Sequence, residues 1–171
     1  MLVDEVLPAL PELTLDVAGD GSWRRLVARH AARLNRRAGR EVVRLRGYQA
    51  NLAACLAEAD AVLGVGRVAV EALNAGVPVL SVNGEFLGGL IGVAEYATAA
   101  HHNFVARTGP APTAAGLVAA LRPLVADPAR WRREAAQLRG QVAADFGLAG
   151  VVARTALVYE AARNGTADLT A

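Results

Sequence analysis

The chain has 171 residues, 54% of them hydrophobic and 20% charged, which fits one domain of about 100–200 residues and excludes disorder over most of its length. Its formal net charge is only +2 and all 18 basic residues are arginine, so charge alone implies no nucleic-acid partner, and no Schiff-base or P-loop lysine exists. A single cysteine, Cys55, and three histidines exclude a disulfide framework and argue against a zinc centre.

In chain order, Leu13–Ala18 reads as a short buried strand ended by Gly19-Asp20-Gly21, a turn signal. Ser22 is placed to cap a helix running to about Ala38, which Gly39 closes. Val42–Arg46 reads as a second strand ended by Gly47. Asn51 is placed to cap a short helix to about Ala59. Ala61–Leu63 is a third strand, entering Gly64-Val65-Gly66. A helix over Arg67–Ala75 follows, with Gly76 as its stop. Val77–Val82 is a fourth strand. Strands alternating with short helices predict an α/β fold, a parallel sheet with right-handed crossovers. Asn83–Gly92 holds four glycines and little periodicity, which predicts a loop. Asn103–Arg107 reads as a last short strand. Three helices follow, Thr113–Ala126, Pro128–Phe146 and Leu148–Arg163, with Thr113 and Asp127 as caps and Pro128 in a first turn. Residues 164–171 read as a frayed polar tail. The pattern predicts one domain over 1–171. No run approaches the ~20 apolar residues of a membrane span, and Met1–Glu5 is acidic where a secretory signal would be basic. A cytoplasmic location is therefore expected.

The stretch Gly64–Val79 carries the most chemistry. A strand ends in glycines and a helix starts at once, which aims free N–H groups and the positive helix end at one point. Small residues let a phosphate approach, and Arg67 adds a guanidinium at the mouth. Glu71, one turn further, is placed to accept hydrogen bonds from a sugar's two hydroxyls. These features describe a nucleoside-diphosphate site. They equally describe a tight strand–helix turn with a surface glutamate.

The run Ala59-Asp60-Ala61-Val62-Leu63-Gly64 through Glu71-Ala72…Gly76-Val77-Pro78-Val79 resembles the donor-binding half of GT-B glycosyltransferases. The similarity is greatest to the retaining family 4, or "group 1", pattern. Leu13–Gly21 and the Val42–Tyr48 and Asn51–Asp60 segments resemble that pattern too, over about residues 10–160. The EA…G.PV core also occurs in inverting transferases and in UDP-sugar 2-epimerases. The resemblance implies a Rossmann-like half of a GT-B fold and a hexosyltransferase reaction that needs no metal or cofactor. Its substrate would be a UDP- or GDP-linked sugar. Gly64, Gly66 and Arg67 would hold the diphosphate and Glu71 the ribose. Gly47 and Tyr48 would lie at the nucleobase, with Gly19, Asp20 and Gly21 beside the pocket and Asn103-Phe104 in its neighbourhood. The first glutamate of the family's E-x7-E motif falls on Leu63, and Glu85 is the nearby acid that could replace it. An acceptor-binding half, in cis or trans, is missing from the pattern, so the isolated chain is expected to be inactive.

Two alternatives remain open. Gly64-x-Gly66-x-x-Ala69 matches the dinucleotide fingerprint, with Glu85 lying 21 positions beyond Gly64, which describes an NAD(P)-binding oxidoreductase domain. Leu63 and the absent lysine fit a non-catalytic nucleotide-binding or interaction module. Elsewhere, Arg25, Arg29, Arg33 and Arg36 share one face of the first long helix, with Trp23, Leu26, Val27 and Leu34 expected on the opposite side. This face reads as solvated, or as a peripheral contact with an anionic lipid surface or RNA. His101-His102 reads as a helix-end pair or as a general acid near the donor, and Cys55 as a small buried hydrophobe.

Overall fold

A computed structural model describes residues 1–164. All strands pair within two small sheets flanked by helices, an α/β arrangement. The first sheet joins β1 (Leu15–Ala18) and β2 (Val43–Gly47) in parallel, with Leu15 opposite Val43 and Val17 opposite Leu45. Helix α2 (Arg24–Ala38) links them. The second sheet has the order β3-β4-β5, with β3 (Val62–Leu63) parallel to β4 (Val79–Val82) and helix α4 (Arg67–Asn74) between them. The single parallel sheet expected from the sequence is thus divided, since no ladder joins β1-β2 to β3-β4-β5.

The third member of the second sheet corrects the expected glycine-rich loop. Strand β5 (Leu87–Leu90) returns antiparallel to β4, pairing Leu80 with Leu90 and Ser81 with Gly89. Backbone pairing to β4 and the buried Leu87 hold this segment as a strand, despite the weak strand propensity of Gly88 and Gly89, and a Cβ on Gly88 would stand only 2.9 Å from Ala106 Cβ. Two helical pieces were also not expected. A π-helical turn over Leu2–Val6 runs into α1 (Leu7–Ala9) and buries Val6 and Leu7. Helix α5 (Tyr96–His101) packs Tyr96 into the core.

Between them, α3 (Leu52–Glu58) starts after Asn51, whose side chain makes no cap bond. Ser22 likewise caps nothing, because α2 begins two residues later with Trp23 in the cap position. The C-terminal helices match the expected bounds: α6 (Ala114–Ala126), α7 (Pro128–Phe146) and α8 (Leu148–Arg163). Thr113 Oγ1 accepts from Gly116 N at 3.0 Å and Asp127 Oδ1 from Arg130 N at 2.8 Å, so both expected caps form. Beyond Asn164, the expected frayed tail lies outside the described residues.

Three apolar clusters stabilise these elements. One joins Leu73, Val79, Tyr96, Phe104, Leu138 and Val142, with α4 seated on α7. A second packs Leu80, Leu87, Leu117 and Leu121 around the N-terminal Val6 and Leu10. The third, Leu7, Ala31, Val42 and Val43, seats α2 on the first sheet. Asn35 fixes the orientation of α2. Its Nδ2 donates to Val43 O at 2.9 Å and its Oδ1 accepts from Val42 N and Val43 N at 2.8 and 2.9 Å.

Helix α8 buries no residue, and Leu148, Leu157 and Tyr159 stand 80%, 64% and 73% exposed. The stretch Pro128–Arg163, broken at Gly147, contains a segment with the length and hydropathy of a membrane span, almost none of it buried. This corrects the expectation that no run approaches the length of a span.

Candidate functional site

Helix α4 rises from the carboxyl end of β3, the end at which α/β sheets bind ligands. Gly66 is its N-cap, at φ 60° and ψ −135°, a backbone conformation that only glycine adopts without strain. No side chain caps this end. The first helical bond is Val70 N to Gly66 O, 3.1 Å, so the amides of Arg67, Val68 and Ala69 have no intrahelical acceptor. A Cβ on Gly64 would stand 3.2 Å from Val68 Cγ1, so bulk at that position would crowd the turn.

The structure brings Arg67 and Glu71 together. Arg67 Nε lies 3.2 Å from Glu71 Oε1, with the arginine side chain 90% exposed and the glutamate 38%. Arg67 is a cation at the positive end of a helix, which costs roughly 0.3–1 kcal/mol where no anion offsets it. The pair with Glu71 returns little, since an exposed i,i+4 pair contributes about 0.3–0.5 kcal/mol and the basic-before-acidic order is the weaker one.

The other end of α4 explains the rest of the motif. Gly76 adopts φ 75°. Gly76 N donates to Leu73 O at 2.9 Å and Val77 N to Ala72 O at 2.9 Å, a Schellman stop. Val77, Pro78 and Val79 then enter the core. Arg139 Nε donates to Asn74 O at 3.1 Å, tying α4 to α7. Arg132 similarly ties α7 to the link between α3 and β3 through Ala59 O and Asp60 Oδ1, both at 3.0 Å.

Asn103 also approaches the α4 start: a Cβ on Gly66 would sit 3.7 Å from Asn103 Nδ2. The expected last strand, Asn103–Arg107, does not form, because α5 ends there in a second Schellman stop. Asn103 N donates to Ala100 O and Phe104 N to Ala99 O, at 2.9 and 2.7 Å. Asn103 and Phe104 have φ 51° and 58°. Asparagine tolerates this region; phenylalanine does so only where its surroundings compel it. Phe104 is 1% exposed and sits between Tyr96 and Phe146, with ring centroids 5.8 and 5.3 Å away. The buried Ser81 hydroxyl donates to Phe104 O at 3.0 Å, and Asn83 Nδ2 to Ala106 O at 2.8 Å. Both side chains belong to the carboxyl end of β4 and its continuation, and both were missed as positioning residues in the sequence. Tyr96 completes the support by donating its hydroxyl to Asp145 Oδ2 at 2.8 Å. Burial, and then the Asp145 carboxylate, push the Tyr96 hydroxyl well above the ordinary tyrosine range.

Glu85 lies in the β4–β5 turn, exposed, its N–H donating to Asn83 Oδ1 at 2.8 Å. It lines an open cleft of about 560 Å³ with Asn83, Phe86 and Arg107. Leu63 pairs with Leu80 and packs into the second apolar cluster, so the position where the resemblance expected an acid serves packing.

The other expected pocket residues gather at the carboxyl end of the first sheet. Gly19 N donates to Gly47 O at 2.7 Å, and a Cβ on Gly47 would lie 3.9 Å from Asp20 Oδ2. Asp20 pairs with Arg24 at 2.8 Å, Gly21 O accepts from Arg24 N, and Tyr48 stands 76% exposed. The structure therefore groups Gly19, Asp20, Gly21 and Gly47 together, and Gly64, Gly66, Arg67, Glu71 and Asn103 together, on different sheets. His101 ends α5 and stacks edge-on with His102, centroids 4.8 Å apart, as a helix-end pair. Cys55 is half-buried, not buried as expected, with Sγ 3.5 Å from Gln49 Oε1. No group of three or more His, Cys, Asp or Glu side chains is assembled for a metal among the described residues.

No protein-family model matches the chain, and no curated protein matches its sequence.

Proposed function

We propose that this chain is the donor-binding half of a GT-B glycosyltransferase, most similar to the retaining family 4 pattern, and that it binds a UDP- or GDP-linked sugar. The observation that carries this reading is the uncapped start of α4. Three free amides, a glycine-only turn and an otherwise unfavourable cation stand there, with Glu71 one turn along the same helix. A diphosphate would accept hydrogen bonds from the amides of the exposed Arg67 and Val68, Ala69 being buried, and draw Arg67 from Glu71. The released carboxylate could then take the ribose hydroxyls. During transfer, fixed N–H dipoles and Arg67 would stabilise charge on the departing diphosphate. The uncovered α8 supports an incomplete cleft, because large exposed apolar patches mark interaction surfaces. An acceptor-binding half in cis or trans would then supply the other wall.

The test is calorimetric titration of the chain with UDP, GDP, ADP and NADH. Saturable binding of UDP or GDP with NADH silent is the expected result. NADH binding alone would move the chain to the oxidoreductases. Silence from all four would leave a non-catalytic module and overturn the donor site in this chain.

A further inference from the structure

Helix α2 carries six of the 18 arginines and no carboxylate, leaving twelve arginines against 16 acids over the rest of the chain. The small net charge therefore hides a marked separation of charge. Arg24 is spent on Asp20. Arg25, Arg29, Arg33, Arg36 and Arg37 are all exposed, and among the described residues none of them has an ion-pair or hydrogen-bond partner. At 100° per residue they fall within one third of the helix circumference. The Asn35 bonds and the buried Ala31 fix the opposite side against the first sheet, so this basic face points outward.

Trp23 and Leu26 do not lie on the core side, as the sequence pattern suggested. Trp23 is 71% exposed at the helix start, and Leu26, 37% exposed, falls angularly between Arg33 and Arg37. A buried role is thereby removed for Trp23, while Leu26 keeps over a third of its surface open, so an exposed indole and a partly exposed leucine accompany five unpaired guanidinium groups. Arginine against lipid phosphate, with tryptophan at the headgroup level, is how an interfacial helix binds. The helix spans about 22 Å, long enough to lie along such a surface. Single-stranded RNA readers instead combine a groove with aromatic platforms for successive bases. Here the face is convex, with one aromatic ring at its end.

We infer that the outer face of α2 docks this protein onto an anionic membrane surface, with Arg25, Arg29, Arg33, Arg36 and Arg37 on lipid phosphates and Trp23 at the interface. The inference does not rest on the donor-site reading. The experiment is co-sedimentation of the full chain with phosphatidylcholine vesicles, with and without 30% phosphatidylglycerol, at about 0.1 M salt. A Trp131→Phe background leaves Trp23 as the reporting fluorophore. Binding to the anionic vesicles alone, with a blue shift of Trp23 emission, is expected. Arg29→Glu/Arg33→Glu should weaken binding by at least roughly tenfold per reversed residue. Arg122→Glu/Arg133→Glu, the same charge change on other helices, should leave binding within about twofold. Three results would overturn the inference: no binding to anionic vesicles, equal loss in both double variants, or retention of a 20-nucleotide RNA by a chain that ignores the vesicles. Since all four sites are exposed, unchanged circular dichroism separates lost docking from lost folding.

Discussion

Glu71→Gln separates the two readings of the α4 start, because they predict different losses. If Glu71 is only a surface residue, its role is the pair with Arg67, 3.2 Å long with one partner 90% exposed. Such a pair contributes about 0.3–0.5 kcal/mol, and its reversed order places it at the low end. The variant's unfolding free energy should therefore change by less than about 0.5 kcal/mol on either reading. Nucleotide affinity should not follow it. A carboxylate accepting ribose hydroxyls contributes roughly 1–3 kcal/mol, so the dissociation constant for UDP or GDP should rise roughly 5- to 150-fold. Arg67→Ala supplies the converse check. It removes a cation from the positive helix end, so stability should hold or rise slightly, while affinity for the diphosphate falls and affinity for the bare nucleoside does not. Urea unfolding and calorimetry on the same preparations read both quantities. Unchanged affinity in Glu71→Gln would refute the ribose assignment.

Gly66→Ala should destabilise the fold by roughly 1–3 kcal/mol, because φ 60° with ψ −135° strains any side chain even where space is open; an unchanged denaturation midpoint would show that this turn adopts another conformation. Ser81→Ala leaves Phe104 O without its 3.0 Å donor in a buried setting, at a cost of about 1–3 kcal/mol, and amides of residues 103–107 should exchange faster than those of α7. Although partial burial pushes the Asp16 carboxyl up, hydrogen bonds and charge from Arg46 and Arg44 hold it below its ordinary 3.8. A depressed carboxylate contributes stability that is present above the unfolded value and lost as pH falls through the folded one. Asp16→Asn should therefore lower the melting temperature at neutral pH, and its gap from the parent should close as pH drops below 3.8, which a pH series of thermal melts will show.

The helices and parallel strands were legible where period and punctuation agreed. Pro128 and Asp127 mark the start of α7, and Gly39 the end of α2. The misses share a cause, which is that tertiary contacts overrode local signals. Strand β5 contains Gly88 and Gly89, yet its ladder to β4 holds it extended. Residues 103–107 have strand-like composition, but Asn103 accepts the left-handed conformation that ends α5, and Ser81 and Asn83 strap the segment in place. Neither strap is readable from spacing, since each bond spans 23 residues. Trp23 and Leu26 follow an amphipathic period but lie on the exposed side. Composition gives no hint of that, because the Asn35 anchors and the packing of Ala31 against the first sheet set the rotation of α2.

The motif that carries the family resemblance divides along the same line. Ala72 and Gly76 form the Schellman stop, while Val77, Pro78 and Val79 fill the core. Any short helix returning to a parallel strand beside α7 would need residues of this kind, so their presence speaks for a fold. Leu63, paired with Leu80, likewise speaks for packing. Glu71 and Arg67 are different. Neither supports the core, and Arg67 stands where a helix disfavours a cation. Local rules are broken most often at functional sites. The resemblance to a nucleotide-sugar enzyme therefore rests chemically on these two residues and the uncapped, exposed amides of Arg67 and Val68. A variant keeping Ala72, Gly76 and Pro78 but carrying both Arg67→Ala and Glu71→Gln should fold as the parent does and bind no nucleotide. If it still binds UDP or GDP with parental affinity, the motif is a packing signature alone and the donor site lies elsewhere.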